Sequence, residues 1–519
     1  IADLQLSIRP DGDVALFTGL LAHLAKTPAI DDAFVAEHTV GFPDAFAHAK
    51  RLGFDELMDR TGLPAAELRR FFQMFETTER VVTCYSQGVN QSCSGTDKVN
   101  AILNCHLATG RIGRPGMGPL SLTGQPNAMG GREVGGLANM LAAHMAIENP
   151  EHRDRVQRFW QAPTMAAAPG LKAVDMFRAV ADGRIKALWI MATNPVVSMP
   201  DAGAVEAAIK ACPFVVVSDM FATTDTARHA HVLLPSLGWG EKDGTVTNSE
   251  RRISRQRSFL ARVEDAKPDW WQMTEVARRM GFSAAFDYRS SAQIFAEHAA
   301  LSAFENGGSR DFDIGAYADI DGAAYESLSP FQWPQPAGET AKTTRFFSSG
   351  RFYHPDGKAR FVATELPETE RRHARYPLTL NTGRIRDQWH TMTRTGRSAR
   401  LSSHIAEPFA EIHPKDAAER GIESASLVEI ESQLGRVIVR AQKAAGSISL
   451  VIADTGIGIP RAAMQKIGQP FEQVQSQYAK SQGGSGLGLA ISRSLTQLHG
   501  GAMKIRSKEG RGTIIGVRI

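Results

Sequence analysis

The sequence predicts an α/β protein built on parallel sheets, followed by two smaller segments of different character. Three observations predict it. Strand-like apolar runs alternate with helical patterns: VVTCYSQG precedes KVNAILNCHLATG, and KALWIMATNPVVSMPD precedes DAGAVEAAIKA. Strands separated by helices imply a parallel sheet covered on both faces. CPFVVVSDMFATTDTARHAHVLLP then repeats the rhythm as strand, loop, helix and strand. From Tyr376 the pattern changes to short β segments, YPLTLNTGR, EPFAEIHP, SLVEIES and GRVIVRAQ, which suggest a small β-barrel-like domain.

In chain order, residues 1–80 read as helical. LFTGLLAHLAKT has helical apolar spacing, DDAFVAEHT follows, and Pro64 stands near the start of PAAELRRFFQMFETTER. VVTCYSQG reads as a short buried strand. RIGRPGMGPLSLTGQPNAMGGREVGG is too long and irregular for a simple connector, and long loops of this kind are usually functional or disordered. Residues 285–345 carry no clear pattern. At residues 444–447 the character changes again, and SISLVIADTGIGIP opens a segment with its own glycine-rich motifs.

The 519 residues are 43% hydrophobic and 22% charged, ordinary for a globular chain of roughly three or four domains. Net charge is +4, from 59 basic and 55 acidic residues without a long basic run, so neither nucleic acid nor a membrane surface is an expected partner. No apolar stretch approaches the roughly 18 residues of a membrane-spanning helix. The opening IADLQLSIRP has neither a basic nor an apolar leader region, so it is not a signal peptide and reads as a start in the middle of a protein. Cys84, Cys93, Cys105 and Cys212 form no C-x-x-C and fit neither zinc nor iron–sulfur spacing; reduced, buried thiols are expected.

Loops after the C-terminal ends of parallel strands are where α/β folds bind ligands. Three such loops are rich in small and polar residues: 86–98, 193–201 and 218–231. Most precede a helix N-terminus, whose N–H groups favour phosphate. Asp219 is placed to accept from a base or from ribose hydroxyls. Together the loops suggest a large, phosphate-bearing, nucleotide-like ligand.

The run YSQGVNQSCSGTDKVNAILNCHLATGRIGRPGMGPLSLTGQPNAMGGREVGGLAN (85–139) resembles the bacterial assimilatory nitrate reductases, members of the molybdopterin oxidoreductases. The resemblance continues through ATNPVVSMPD, residues 218–254 and TGRIRDQWHTMTRTG (382–396), and covers about residues 1–443. It implies Rossmann-like domains over 1–115 and 116–370, and a truncated dinucleotide-binding, barrel-like domain over 371–443. It also implies a bis-molybdopterin guanine dinucleotide with molybdenum, reduction of nitrate or a similar oxyanion, a ferredoxin or flavin reductase as electron donor, and a cytoplasmic location. By the same resemblance Gln125 and Arg132 line the substrate channel, and Gln87 lies beside the metal. A guanidinium fork suits a planar oxyanion. Asn194, Ser218, Asp219, Thr382, Arg384, Trp389, His390 and Thr391 match positions that cradle the dinucleotide. For His390, a hydrogen-bonded structural role stays equally open. The family's [4Fe–4S] cysteines and its molybdenum-binding cysteine have no match among these residues, since the corresponding region would precede Ile1; the chain is therefore expected to be an incomplete reductase.

DTGIGIP (454–460), PFEQ (470–473), GGSGLGLAISRSLTQLHGG (483–501) and SKEGRGT (507–513) resemble, in that order, the ATP-binding domain of sensor histidine kinases. Over 447–519 this implies a partial α/β-sandwich ATPase segment. Asp454 would accept from the adenine amino group, Gly456 and Gly458 would allow close approach, and Gly484, Gly486 and Gly488 would open a phosphate-facing helix. The family's asparagine-bearing helix, which holds Mg²⁺, has no counterpart upstream, where AERGIESASLVEIESQLGRVIVRAQ reads as β; no autokinase activity is expected. The alternatives to a reductase are therefore an ATP-binding kinase module, or a fusion of two partial proteins without a complete activity.

Overall fold

Leucines and phenylalanines recurring at helical spacing organise the start of the protein. In the computed structural model, described residues are 2–263, 265–338, 345–368, 374–383, 385–389, 392, 395–405, 407–433, 435–443, 449–454, 459–460, 463–464, 492–493, 496–497, 502–508 and 512–518. The chain divides into two units, residues 1–371 and 372–519.

In the first unit, α1 (Asp13–Leu24) buries Leu16, Leu20, Leu21 and Leu24. It meets Leu57 of α2 (Phe54–Thr61) and Leu68, Phe72 and Phe75 of α3 (Ala65–Thr77) in one core. Each fully buried leucine or phenylalanine contributes roughly 1.5–3 kcal/mol. Thus the helical reading of residues 1–80 holds. β1 (Val82–Tyr85), the single turn α4 (Gln87–Asn90), α5 (Gly95–Ala108) and β2 (Gly118–Ser121) follow. β1 and β2 pair in parallel, Val82 against Gly118 through Tyr85 against Ser121.

Two expectations fail here. β1 is not buried: Val82 and Cys84 are exposed, because this parallel pair has only two strands and leaves one face open. The glycine-rich run is not one irregular loop either. It contains β2 and the short helix α6 (Ala128–Glu133). Its glycines serve tight backbone approaches: Gly135 has φ +71°, and a Cβ there would lie 2.6 Å from Ala142 N.

The second parallel sheet has the order β3 (Ala187–Met191), β4 (Phe214–Asp219), β5 (Val232–Pro235). Leu188, Ile190, Val215 and Val217 pack against Phe177 and Val180 of α7 (Ala173–Ala181) and Val205 and Ile209 of α8 (Ala202–Ala211). Asp201 caps α8, its carboxylate accepting from Ala204 N at 3.4 Å. Between β4 and β5 the expected helix is only a three-residue 3₁₀ turn, Ala227–His229. A third core lies around β6 (Gly244–Thr247), β7 (Arg252–Gln256) and the two-residue β8 (Phe331–Gln332), an antiparallel sheet. α9 (Asp269–Arg279) precedes α10 (Ser291–Ala303), which brings Phe295 and Leu301 against Phe312, Ile314 and Trp333. The unpatterned stretch 285–345 thus supplies a core.

In the second unit, β9 (Phe409–Ile412), β10 (Leu427–Ser432) and β11 (Gly435–Lys443) form a sheet of order β9–β11–β10. β9 runs parallel to β11, and β10 and β11 form a hairpin. Among the described residues this sheet is open, where a barrel-like domain was expected. YPLTLNTGR supplies no strand within 376–383, and Pro414–Glu419 is a helix where β structure was expected nearby. β12 (Ser449–Asp454), β13 (Ala502–Lys508) and β14 (Gly512–Arg518) form an antiparallel sheet with β14 central.

Candidate functional site

Six of the residues singled out from the sequence lie at or just past the C-terminal ends of the two parallel sheets in the first unit. At the first, Leu122 N donates to Tyr85 O at 2.7 Å and extends the β1–β2 pairing by one step. Gln87 lies two residues past β1 and Gln125 four residues past β2, on the same strand-end edge. The Ser86 hydroxyl touches the Gln87 amide oxygen and also donates to Leu122 O at 2.6 Å, which ties the two strand ends together. Gln87 and Gln125 are partly exposed. Arg132, on α6, is exposed and spends one N–H on Ala128 O at 3.1 Å within its own helix.

What holds α6 was not visible in the sequence. Glu133 is 3% exposed and accepts from Trp333 Nε1 at 2.6 Å and from Thr247 Oγ1 at 2.8 Å. Asn127 Oδ1 accepts from Thr247 N at 2.8 Å. Burial pushes the Glu133 carboxyl above the usual range, against the opposing pull of the Thr247 and Trp333 hydrogen bonds. The residue beside Arg132 is therefore pinned to β6 and to Trp333, and the guanidinium starts from a fixed base.

At the second edge, Asn194, Ser218 and Asp219 come together past β3 and at the end of β4. Asn194 Oδ1 accepts from Thr226 Oγ1 at 2.7 Å and from Thr226 N at 3.2 Å. Ser218 is fully buried: its hydroxyl accepts from Trp189 Nε1 at 2.9 Å and donates to Gln272 Oε1 at 2.7 Å. With both directions engaged by protein, Ser218 shapes the edge through its side chain and does not present it. Gln272 Nε2 in turn donates to Ser236 Oγ at 3.1 Å, past β5. Asp219 Oδ1 accepts from Phe221 N at 3.3 Å, which sets the turn after β4. Gln272 and Thr226 are the residues here that the sequence reading missed; buried glutamine and threonine carry no motif.

In the second unit, Thr382 is exposed. Trp389 is 41% exposed, with its backbone N–H on Thr395 Oγ1 at 3.0 Å. Arg384, His390 and Thr391 lie outside the described residues, as do Gly456, Gly458, Gly484, Gly486 and Gly488. Asp454 ends β12, paired with Thr513. Of the thiols, Cys105 and Cys212 are buried as expected, but Cys84 and Cys93 are exposed. Burial drives the Cys105 thiol far up. Among the described residues no group of three or more His, Cys, Asp or Glu is arranged to hold a metal ion, and no helix is long and apolar enough to cross a membrane.

This arrangement defines an α/β protein with neutral amides, a guanidinium and exposed apolar side chains at its strand ends. Leu122, Val134 and Leu137, 50–56% exposed, flank Gln125 and Arg132. The Molybdopterin oxidoreductase family model matches residues 5–279, more than half of the sequence, and the chain belongs to that family. The Molydopterin dinucleotide binding domain matches residues 378–450. The Histidine kinase-, DNA gyrase B-, and HSP90-like ATPase family matches residues 423–519. A nitrate reductase of Klebsiella oxytoca is 48% identical over 441 residues, 85% of this chain and 50% of that protein. A nitrate reductase of Shewanella frigidimarina is 45% identical, over 83% of this chain and 46% of that protein. The assimilatory nitrate reductase catalytic subunit of Bacillus subtilis is 34% identical, over 85% and 61%. The chain thus spans roughly half to three fifths of the length of these relatives. Acetylene hydratase from Pelobacter acetylenicus shares the fold, with a TM-score of 0.65 at 18% identity over 85% of this chain and 63% of that one.

Proposed function

We propose that this chain serves the molybdopterin-dependent reduction of nitrate to nitrite. The observation that carries the reading is the strand-end edge past which Gln87 and Gln125 follow, two and four residues beyond the paired strands, with Arg132 on the anchored helix after it. Nitrate takes two electrons and two protons and leaves as nitrite and water. When bound, the molybdopterin group supplies the redox chemistry. The chain's residues bind and orient. Arg132 offers paired N–H donors to two coplanar oxygens of nitrate. The Gln87 and Gln125 amides donate to the same anion without adding charge. Leu122, Val134 and Leu137 exclude water once the edge is covered. Asn194 and Asp219 form a second polar edge for the dinucleotide, which we assign as a bis-guanine form; Thr382, Arg384, Trp389, His390 and Thr391 are assigned dinucleotide roles on the resemblance alone. A cytoplasmic ferredoxin or flavin reductase is the donor this reading implies.

Support comes from the 45–48% identity to nitrate reductases and from the position of Gln87 and Gln125 just past the paired ends of β1 and β2. The test is steady-state kinetics with a reduced viologen. Arg132→Lys keeps the charge but loses the fork; it should raise KM for nitrate about tenfold or more, the cost of one charge-assisted hydrogen bond. An unchanged KM would refute the oxyanion role.

The ATPase-family match supports a second reading for the C-terminal segment: nucleotide binding, through Asp454, Gly456, Gly458 and the loop of Gly484, Gly486 and Gly488, without phosphoryl transfer. Calorimetric titration of the full chain with ATP tests it, and absence of heat at millimolar nucleotide would end it.

A further inference from the structure

Several buried charges lie outside the edges described above, and Lys98 is the most deeply buried of them. Lys98, on α5, is 2% exposed and stands among the largest fully buried side chains. An ammonium has three donors, and here it meets three acceptors: Asp11 Oδ1 at 2.7 Å, Asp13 Oδ2 at 3.0 Å and Gly88 O at 3.3 Å. Asp11 also accepts from Ser92 Oγ at 3.2 Å, and Ser92 Oγ accepts from Ser94 N at 3.1 Å. Two of the acceptors stand at the start of α1: Asp13 is its first residue and Asp11 lies two residues before it. The third is the carbonyl next to Gln87, on a helical turn that has no buried residue of its own.

Burial pushes the Lys98 ammonium down, but hydrogen bonds from Asp11 and Asp13 outweigh it and hold the group above its ordinary range. Lys98 correspondingly holds Asp11 below its own. Filling this space does not need a charge. An apolar side chain of similar volume often serves as well or better than a buried ion pair, whose desolvation cost is large. What an apolar residue lacks is the directed hold on one carbonyl.

We propose that Lys98 is a positioning residue for the substrate edge: through Gly88 O it locks the 86–92 segment, and with it Gln87, to Asp11 and to Asp13 at the start of α1. The kinetic consequence rests on the nitrate reading; the anchoring does not. Lys98→Met alone leaves two carboxylates unpaired and risks misfolding, so the decisive variant combines it with Asp11→Asn and Asp13→Asn. Two readouts are taken on the full, cofactor-loaded protein. By hydrogen exchange, amides of 86–92 should exchange about tenfold or more faster in the triple variant while 101–107 of α5 stay protected, since local opening follows local contacts. In viologen-driven nitrate reduction, kcat/KM should fall by up to about 100-fold, the penalty of a misplacement near 1 Å. Lys98→Arg should recover part of both. Unchanged exchange at 86–92, or a rise spread evenly through 86–107, would overturn the proposal. So would a local rise with unchanged kinetics in an active enzyme. A wild type without nitrate activity would count against the nitrate reading, and the exchange data would still decide the anchoring.

Discussion

Glu133→Ala tests how the base under Arg132 is built. The carboxylate is 3% exposed and receives two hydrogen bonds, 2.6 Å from Trp333 Nε1 and 2.8 Å from Thr247 Oγ1. Alanine leaves both donors buried and unpaired, at about 1–3 kcal/mol each. Relief of the carboxylate's desolvation offsets part of that, so the net loss should be about 2–4 kcal/mol. Glu133→Gln should behave differently. Its amide oxygen still accepts from Trp333, and the Thr247 hydroxyl, which can donate or accept, turns to accept from the amide nitrogen. That variant should cost under about 1 kcal/mol. The two also differ in pH dependence. Burial raises the folded-state pKa of Glu133, so ionisation opposes folding. The protonated form's contribution is complete below the unfolded value of about 4.3 and is lost as pH rises through the raised folded value. Urea unfolding of wild type and both variants across that interval measures it, and Glu133→Gln should flatten the slope. If Gln costs as much as Ala, or Ala costs nothing, Glu133 does not pin α6 as described.

At the second edge, Gln272→Leu should cost about 2–4 kcal/mol, because it strands the Ser218 hydroxyl and the acceptors at Pro235, Ser236 and Lys267; thermal unfolding checks it. Asn194→Ala removes the acceptor for two Thr226 donors and should lower pterin content of the purified protein more than it lowers stability, read by fluorescence of the oxidised pterin. Burial lowers His106 to about 4. A depressed histidine favours the unfolded chain as protons bind, so stability should fall by about 3 kcal/mol as pH drops from about 6.5 towards that value. His106→Leu should lose this acid slope, and an unaltered slope would refute the assignment.

Several elements were legible because their signal is local. The helices Gly95–Ala108 and Ala202–Ala211 and the strands Ala187–Met191 and Phe214–Asp219 follow from apolar spacing and from the alternation of types. The exposure of Val82 and Cys84 was not, since a strand's burial depends on how many partners its sheet acquires. Gln87, Gln125 and Arg132 came from resemblance to known reductases, not from chemistry readable in the residues. Their supports escaped notice for a physical reason. Glu133 and Trp333 meet across 200 positions, and Lys98 finds its carboxylates far upstream at the start of α1. Isolated polar residues carry no periodicity that announces such contacts. The dinucleotide-binding and ATPase matches overlap across residues 423–450, on either side of the join expected at 444–447.

Molybdenum analysis of the purified protein, made in a host that supplies molybdopterin, tests the central claim most directly when dithionite–viologen nitrate reduction is run on the same sample. The account predicts bound molybdenum and nitrite formed in proportion to it. Protein that is folded by circular dichroism yet carries no molybdenum and forms no nitrite would contradict it.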